Sequence, residues 1–273
     1  MRLTGRVACL FAALTATTLG AIAQSAPPSS NPATFYALRK DSIYESGCFA
    51  PCACPVLIRG PVRGGFRLTF TGSDGLFDHY SVEHVKWTVP QASGNLHVTG
   101  SGTYRVGGEF ALQHQLSLDL QIDNGPPQHY DSGLVTPPAA FPAIDARISI
   151  NGEYCHDTVF EVHARPVRDI QVNGTSVYWD AQPAAAGHDI VWGSLSALRS
   201  TGGDFSAAVR GCLANDVTAG AVPLSGADPA PGDGFFFLLR DVESAMPDSF
   251  DSGAPEQAEP SDDAIAASPA RCP

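Results

Sequence analysis

Phe110-Ala111-Leu112-Gln113-His114-Gln115-Leu116-Ser117-Leu118-Asp119-Leu120-Gln121-Ile122 is the stretch whose reading decides the fold. Phe110, Leu112, Leu116, Leu118, Leu120 and Ile122 recur at every second position, with His114 in the same phase and polar residues at nearly every position between. Successive side chains of a strand point to opposite faces, so the pattern buries one face and wets the other. The alternation returns on either side. Phe66, Leu68 and Phe70 alternate with Arg67 and Thr69, and Val85, Trp87 and Val89 with His84, Lys86 and Thr88. Ile144, Ala146, Ile148 and Ile150 repeat it, and Phe160, Val162 and Ala164 close the series. Tyr80 and Val82 stand in the opposite phase to Val85, which predicts a bulge between them. Glycine and proline punctuate the runs at Gly60 to Gly65, Gly72 to Gly75, Gly100 to Gly108 and Gly125 to Pro127, the third read as a hairpin region. Short strands between such signals predict an all-β, antiparallel sandwich or barrel, with almost no helix in this half.

The N-terminus reads as an export signal. Arg2 and Arg6 form a positive n-region, Val7 to Gly20 is small and apolar, and Ala21-Ile22-Ala23 fits the cleavage rule. The apolar run is shorter than the ~20 residues that span a bilayer, which excludes a membrane anchor. Residues 1–23 are therefore expected to be a signal peptide and 24–34 a Ser/Pro-rich linker. The mature chain would be secreted, periplasmic or on the cell surface. Losing two arginines makes a formal charge of −12 more negative still, and only Lys40 and Lys86 are lysines. Such a chain repels nucleic acid and anionic membranes, so the partner expected is an unidentified extracellular or surface one.

Export sets the reading of the cysteines. Cys48, Cys52 and Cys54 crowd into one short run, and Cys155 precedes the last strand of the first domain, 35–166. In an oxidising compartment these become cross-links. A Cys-x-Cys bridge closes a tight ring, which leaves Cys48–Cys54 with Cys52–Cys155, or Cys48–Cys52 with Cys54–Cys155. Either bridge to Cys155 closes a loop of about 100 residues and contributes roughly 4–5 kcal/mol in the chain-entropy account. The alternative is a metal centre, since thiolates of Cys48, Cys52, Cys54 and Cys155 with His156 suit Zn²⁺ or Cu(I). Their spacing only half satisfies the paired spacing of zinc sites, and export disfavours free thiolates.

The second half changes character. Val177 to Asp180, Asp189 to Gly193 and Gly234 to Arg240 read as strands, and Ser194 to Ala214 as short helical turns through Leu195, Leu198, Phe205, Ala208, Val209 and Leu213. Trp179, Asp189-Ile190-Val191-Trp192-Gly193, Leu195-Ser196-Ala197-Leu198, Gly202-Gly203-Asp204-Phe205, Cys212-Leu213-Ala214-Asn215-Asp216 and Pro231-Gly232-Asp233-Gly234-Phe235 follow in order, then Ser252-Gly253 and Asp263 to Ser268. The series resembles the fibronectin type III-like module that closes many secreted bacterial multidomain proteins. The resemblance covers residues 168–273 and implies a second β-domain at 167–245, followed by an acidic, Pro-rich tail at 246–273. It implies a spacer or adhesive surface, not an activity. Related modules often carry Cys-Gly-Gly after the Phe-rich strand, where this chain has Asp241-Val242-Glu243-Ser244. Cys212 and Cys272 are then left without another partner, which implies that they pair and tie the tail back. Residues 36–166 resemble the front module of similar exported bacterial proteins, to which no function attaches.

Chemistry-bearing motifs are sparse. Asp131-Ser132-Gly133 after Tyr130, and Asp251-Ser252-Gly253 after Phe250, resemble aspartic-protease loops, whose two carboxylates share a proton. The sequences around the two copies do not repeat, and turns account for both. Asp228 to Asp233 lacks the ligand spacing of a calcium loop. Trp87, Trp179 and Trp192 with Tyr104 and Tyr130 read as core before they read as a sugar platform. The eight histidines are scattered, and there is no Gly-x-Ser-x-Gly elbow. The sequence assigns no catalytic residue, no cofactor site and no metal site, and the expectation is a non-enzymatic binding or structural module. The alternatives are a hydrolase using Asp131 or a metal protein using the Cys48 cluster.

Overall fold

The computed structural model describes residues 33–53, 55–180, 185–224, 228–242, 249–251, 257 and 260–273. The expected signal peptide, the linker up to residue 32, and Cys54 lie outside them. Ten strands form one antiparallel sheet: β1 (Ala33–Leu38), β2 (Ile43–Cys48), β3 (Leu57–Pro61), β4 (Arg63–Ser73), β5 (Phe77–Val89), β6 (Leu96–Gly107), β7 (Gln113–Ile122), β8 (Gln128–Asp131), β9 (Ile144–Ser149) and β10 (His156–Pro166). Neighbours in the sheet run β1-β4-β5-β6-β7-β8-β9-β10, and β10 pairs back onto β1 through Leu38↔Ala164. The sheet is thus a closed up-and-down barrel of eight staves. β2 and β3 prolong β1 and β4 past its rim, because β2 pairs with β10 from Ile43↔Glu161 to Cys48↔His156 and with β3 from Ile43↔Pro61 to Gly47↔Leu57. The thinnest seam is β8–β9, where Asp131 faces Ser149.

An eight-stave barrel leaves an interior that side chains just fill. Tyr36, Phe66, Trp87, Tyr104, Leu116, Leu118, Leu120, Tyr130, Ile148 and Phe160 fill it, all essentially inaccessible. Phe160 sits centrally, with the rings of Trp87, Tyr44 and Tyr130 within 5.3–5.5 Å. The alternating runs supply this face. Between Val82 and Val85 the β5 register shifts, with His84 at φ 53°, the bulge that the phase change predicts. The outward positions are polar: Arg67, Ser81, Glu83, Thr103, Gln115, Asp119, Arg147 and Glu161. A membrane-spanning barrel has the reverse arrangement. Among the described residues no helix is long and apolar enough to cross a membrane.

Two expectations about this half are corrected. Phe110 and Leu112 do not continue the buried face, since β7 begins at Gln113 and Phe110, in the β6–β7 turn, is 94% exposed. Gly100 to Gly107 is not hairpin but the interior of β6. There Gly102 lets β6 approach β7 closely, because a Cβ would come within 2.1 Å of the Ser117 carbonyl oxygen.

Beyond Pro166 the strands form two three-stranded sheets. One is ordered β11 (Ile170–Asn173), β12 (Ser176–Trp179), β15 (Ala221–Pro223). The other is β14 (Val209–Val217), β13 (Gly187–Ser194), β16 (Phe235–Val242). Val177, Trp179, Ile190 and Ala214 form a core between the sheets with Val222, Phe237 and Leu239. Val191 points to the other face of β13 and meets Val209, Phe236, Phe250, Ile265 and Cys272. Three short helices, α1 (Leu195–Ser200), α2 (Phe205–Ala208) and α3 (Asp262–Ala267), lie along the chain here. Ser194 caps α1 by accepting from the Ala197 amide, and Asp204 caps α2 by accepting from Ser206. Helical turns therefore occupy part of Ser194 to Ala214, but Val209 and Leu213 belong to β14. The described residues form one compact unit. Arg168 approaches Asp241 at 3.5 Å, and Lys86 Nζ on β5 donates to the Gln257 carbonyl at 2.5 Å.

Two disulfides are described, Cys52–Cys155 and Cys212–Cys272. The first selects the pairing of Cys155 with Cys52 over Cys54. Cys48 is disulfide-bonded as well. The expected Cys48–Cys54 link falls partly outside the described residues. Cys155 is carried into place by the β9–β10 turn. There Asp157 accepts from the amides of Ile150, Asn151, Glu153 and Thr158, and Glu153 and Cys155 take φ 63° and 55°.

Candidate functional site

Register builds a polar groove on the outer face of the barrel. Pairing places His79 opposite Arg105, Arg105 opposite Gln115, Thr103 opposite Ser117, and Ser117 opposite Asp131. These residues share the outward phase of β5 to β8, so their side chains form rows across four strands. The short hydroxyls of Thr71, Thr103 and Ser117 leave a hollow of about 400 Å³ between the longer His79, Arg105 and Gln115. That is the small end of the range for small-molecule sites.

A chain of contacts fixes the cation in this groove. Asp131 accepts from Gln115 Nε2 at 2.9 Å on both carboxylate oxygens and from the Gly133 amide at 2.5 Å. Gln115 Oε1 accepts in turn from Arg105 Nε at 2.9 Å. The guanidinium lies over the Phe77 ring, 5.0 Å from its centroid. Partial burial pushes the Asp131 carboxyl up, but hydrogen bonds from Gln115, Gly133 and Ser117 outweigh it and hold it below its ordinary range. Asp131 is thus an ionised anchor. His79 is held by Asp74 at 2.9 Å, and Asp74 also takes the Leu76 and Phe77 amides. His129 bonds to Asp119 at 2.9 Å and to Ser117 at 3.3 Å.

The hydrolase reading asks for Asp131 beside a second carboxylate, and the structure does not bring the two Asp-Ser-Gly loops together in that way. The described partners of Asp131 are Gln115, Gly133 and Ser117. Ser252 and Gly253 lie outside the described residues, but Asp251 is described, and its neighbour is Asp262. Asp251 Oδ1 accepts from the Ser261 amide and hydroxyl, each at 2.7 Å, and from Gln257 at 2.6 Å. Asp262 Oδ1 accepts from the Phe250 amide at 2.9 Å. Both carboxyls are 2% exposed, and each keeps a buried oxygen with no hydrogen-bond partner. Burial first, and the facing Asp262 second, push Asp251 above the ordinary carboxyl range. The pair stitches the tail to itself.

The metal reading loses its thiolates, since Cys52 and Cys155 are spent on each other and Cys48 is also in a disulfide. Among the described residues no three His, Cys, Asp or Glu side chains cluster as metal ligands. Trp87, Tyr104, Tyr130 and Trp179 are core, and Trp192 packs edge-on against Phe235 at 5.0 Å. Asp233, in the acidic loop weighed for calcium, takes the Gly234 amide and the Ser196 and Ser194 groups. These hydrogen bonds hold its carboxyl down at about 2. His114 is buried in the barrel, where desolvation keeps its pKa low and Tyr104 Oη stands 3.3 Å from Nδ1.

No protein-family model, curated protein or solved structure matches this chain. The groove therefore rests on its own geometry. Sequence reasoning missed Arg105 and Gln115, although a signal was there: they stand five residues either side of Phe110, the centre of the β6–β7 turn.

Proposed function

We propose that the protein is a non-enzymatic binding module of an oxidising, extracytoplasmic compartment, built as a disulfide-stapled barrel whose outer groove takes the ligand. The observation that carries this is the pair of disulfides, which bridge 103 and 60 residues and persist only where thiols are not reduced. The groove supports binding over turnover, because its charged side chains are each held by a fixed neighbour, Arg105 by Gln115 among them. Asp131 is tied to Gln115, and His79 to Asp74. Residues 167–245 act as a spacer of the fibronectin type III-like kind. Two facing three-stranded sheets, with β15 crossing over to join β12, support that reading. The export signal and acidic charge fit a mature protein released from a bacterial cell.

The test pairs a soluble-glycan and peptide array with a panel of protease and glycosidase substrates, using wild type, Arg105→Gln and Asp131→Asn. Saturable array binding, lost in R105Q and without turnover, is the expected result. Turnover of any substrate that D131N abolishes would replace this reading with the hydrolase one.

A further inference from the structure

We infer that the groove recognises an acidic sugar, its carboxylate held end-on by the terminal nitrogens of Arg105; this rests on the groove being the binding site. Arg105 is the groove's fixed cation. Its Nε is satisfied by Gln115 and its plane rests on Phe77. Among the described residues Nη1 and Nη2 make no hydrogen bond or ion pair. A guanidinium whose stem is immobilised presents a planar fork of donors, and the geometry that matches it is a carboxylate bonded through two parallel N–H···O contacts. The cost of ordering the arginine is met before the ligand arrives, by the Asp131–Gln115–Arg105 chain.

The rest of the lining chooses among carboxylates. Thr71 and Thr103 line the same hollow with hydroxyls that both donate and accept, beside the Ser117 hydroxyl engaged with Asp131 and His129, which suits a polyhydroxylated ring. An extended peptide is recognised through a free strand edge. Among the described residues β5, β6 and β7, which carry all of the lining but Thr71, are each paired on both sides. A small polar ligand lying on the face of the strands is what this surface accommodates. The protein's overall negative charge opposes anions at long range, so discrimination falls on the short-range fork rather than on attraction to the surface.

The test is an amide NMR titration of the whole protein with glucuronate, glucose and N-acetylglutamate. Glucuronate is expected to shift the Thr103, Arg105, Gln115 and Ser117 amides with a Kd on the order of 1 mM or tighter. Glucose is expected to bind at least tenfold more weakly. R105Q, with its spectrum otherwise intact, removes the glucuronate response. Gln115→Leu, which keeps the cation but frees it, weakens glucuronate binding several-fold without changing glucose binding. N-acetylglutamate binding as tightly as glucuronate overturns the sugar assignment. Equal binding of glucose and glucuronate, unchanged in R105Q, overturns the carboxylate while leaving the groove as the binding site. Silence of the groove amides to all three overturns the inference outright, and the array then decides the binding reading separately.

Discussion

Replacing Cys52 and Cys155 together by serine tests how much of the barrel depends on its covalent closure. The bridge joins the loop after β2 to the start of β10, beside the rim where those strands pair. It closes 103 residues, a loop that contains β3 to β9. In the chain-entropy account, opening a loop of that length returns about 4.7 kcal/mol of freedom to the unfolded chain at 25 °C. The native barrel keeps its strand pairing and its buried rings, so little offsets that gain. For a protein of this size each kcal/mol moves Tm by roughly 2–4 °C, and the variant should melt roughly 10–20 °C below wild type. Calorimetry and near-ultraviolet circular dichroism, with both proteins fully oxidised at their other cysteines, measure the difference. A fall of less than about 3 °C would refute the reasoning, because the bridge would then restrain a segment that is free of the cooperative barrel.

Phe160→Ala removes the ring that Trp87, Tyr44 and Tyr130 surround and should cost about 3–5 kcal/mol in chemical denaturation; a loss under about 1 kcal/mol would mean this core is loosely packed. A carboxyl raised in the folded state gives stability that is complete below its unfolded pKa and disappears as pH rises through the folded value. Asp251→Asn should therefore melt progressively higher relative to wild type as pH is taken from about 4 to 8, and parallel Tm–pH curves would contradict a carboxyl raised by burial and by Asp262. His163 is raised by its hydrogen bond to Asp145 at 2.9 Å, so its stabilising contribution is full below about 6.5 and fades above the folded pKa. Asp145→Asn should lower the His163 midpoint in an NMR titration, and an unmoved midpoint would rule out the pair as the cause.

The barrel was legible wherever one face of a strand is apolar and the other wet. Leu116, Leu118 and Leu120 read as buried and are buried, and the phase slip between Val82 and Val85 marks a bulge at His84. Phe110 and Leu112 misled because periodicity continues through a turn whose residues happen to keep the phase. β1 to β3 went unread because Tyr44 and Leu57 stand among Gly, Ser and Pro. β1 and β2 pair with β10, more than 100 residues later, and β3 pairs in turn with β2. Register between successive strands, set by where the β6–β7 and β7–β8 turns fall, is why the groove went unread. Arg105, Gln115 and Asp131 are ordinary outward-facing polar residues until three strands align them. Asp251 and Asp262 became neighbours only when the tail folded back on β13, β14 and β16, held by Cys212–Cys272.

Peptide mapping under non-reducing conditions, on protein recovered from the exported fraction, tests the central claim most directly. The account predicts an N-terminus at Gln24, peptides linked through Cys52–Cys155 and Cys212–Cys272, and no free thiol. Unprocessed protein in the cytoplasm, or reactive thiols at Cys52 and Cys155 with bound zinc or copper, would contradict it and make the Cys48 cluster the functional site.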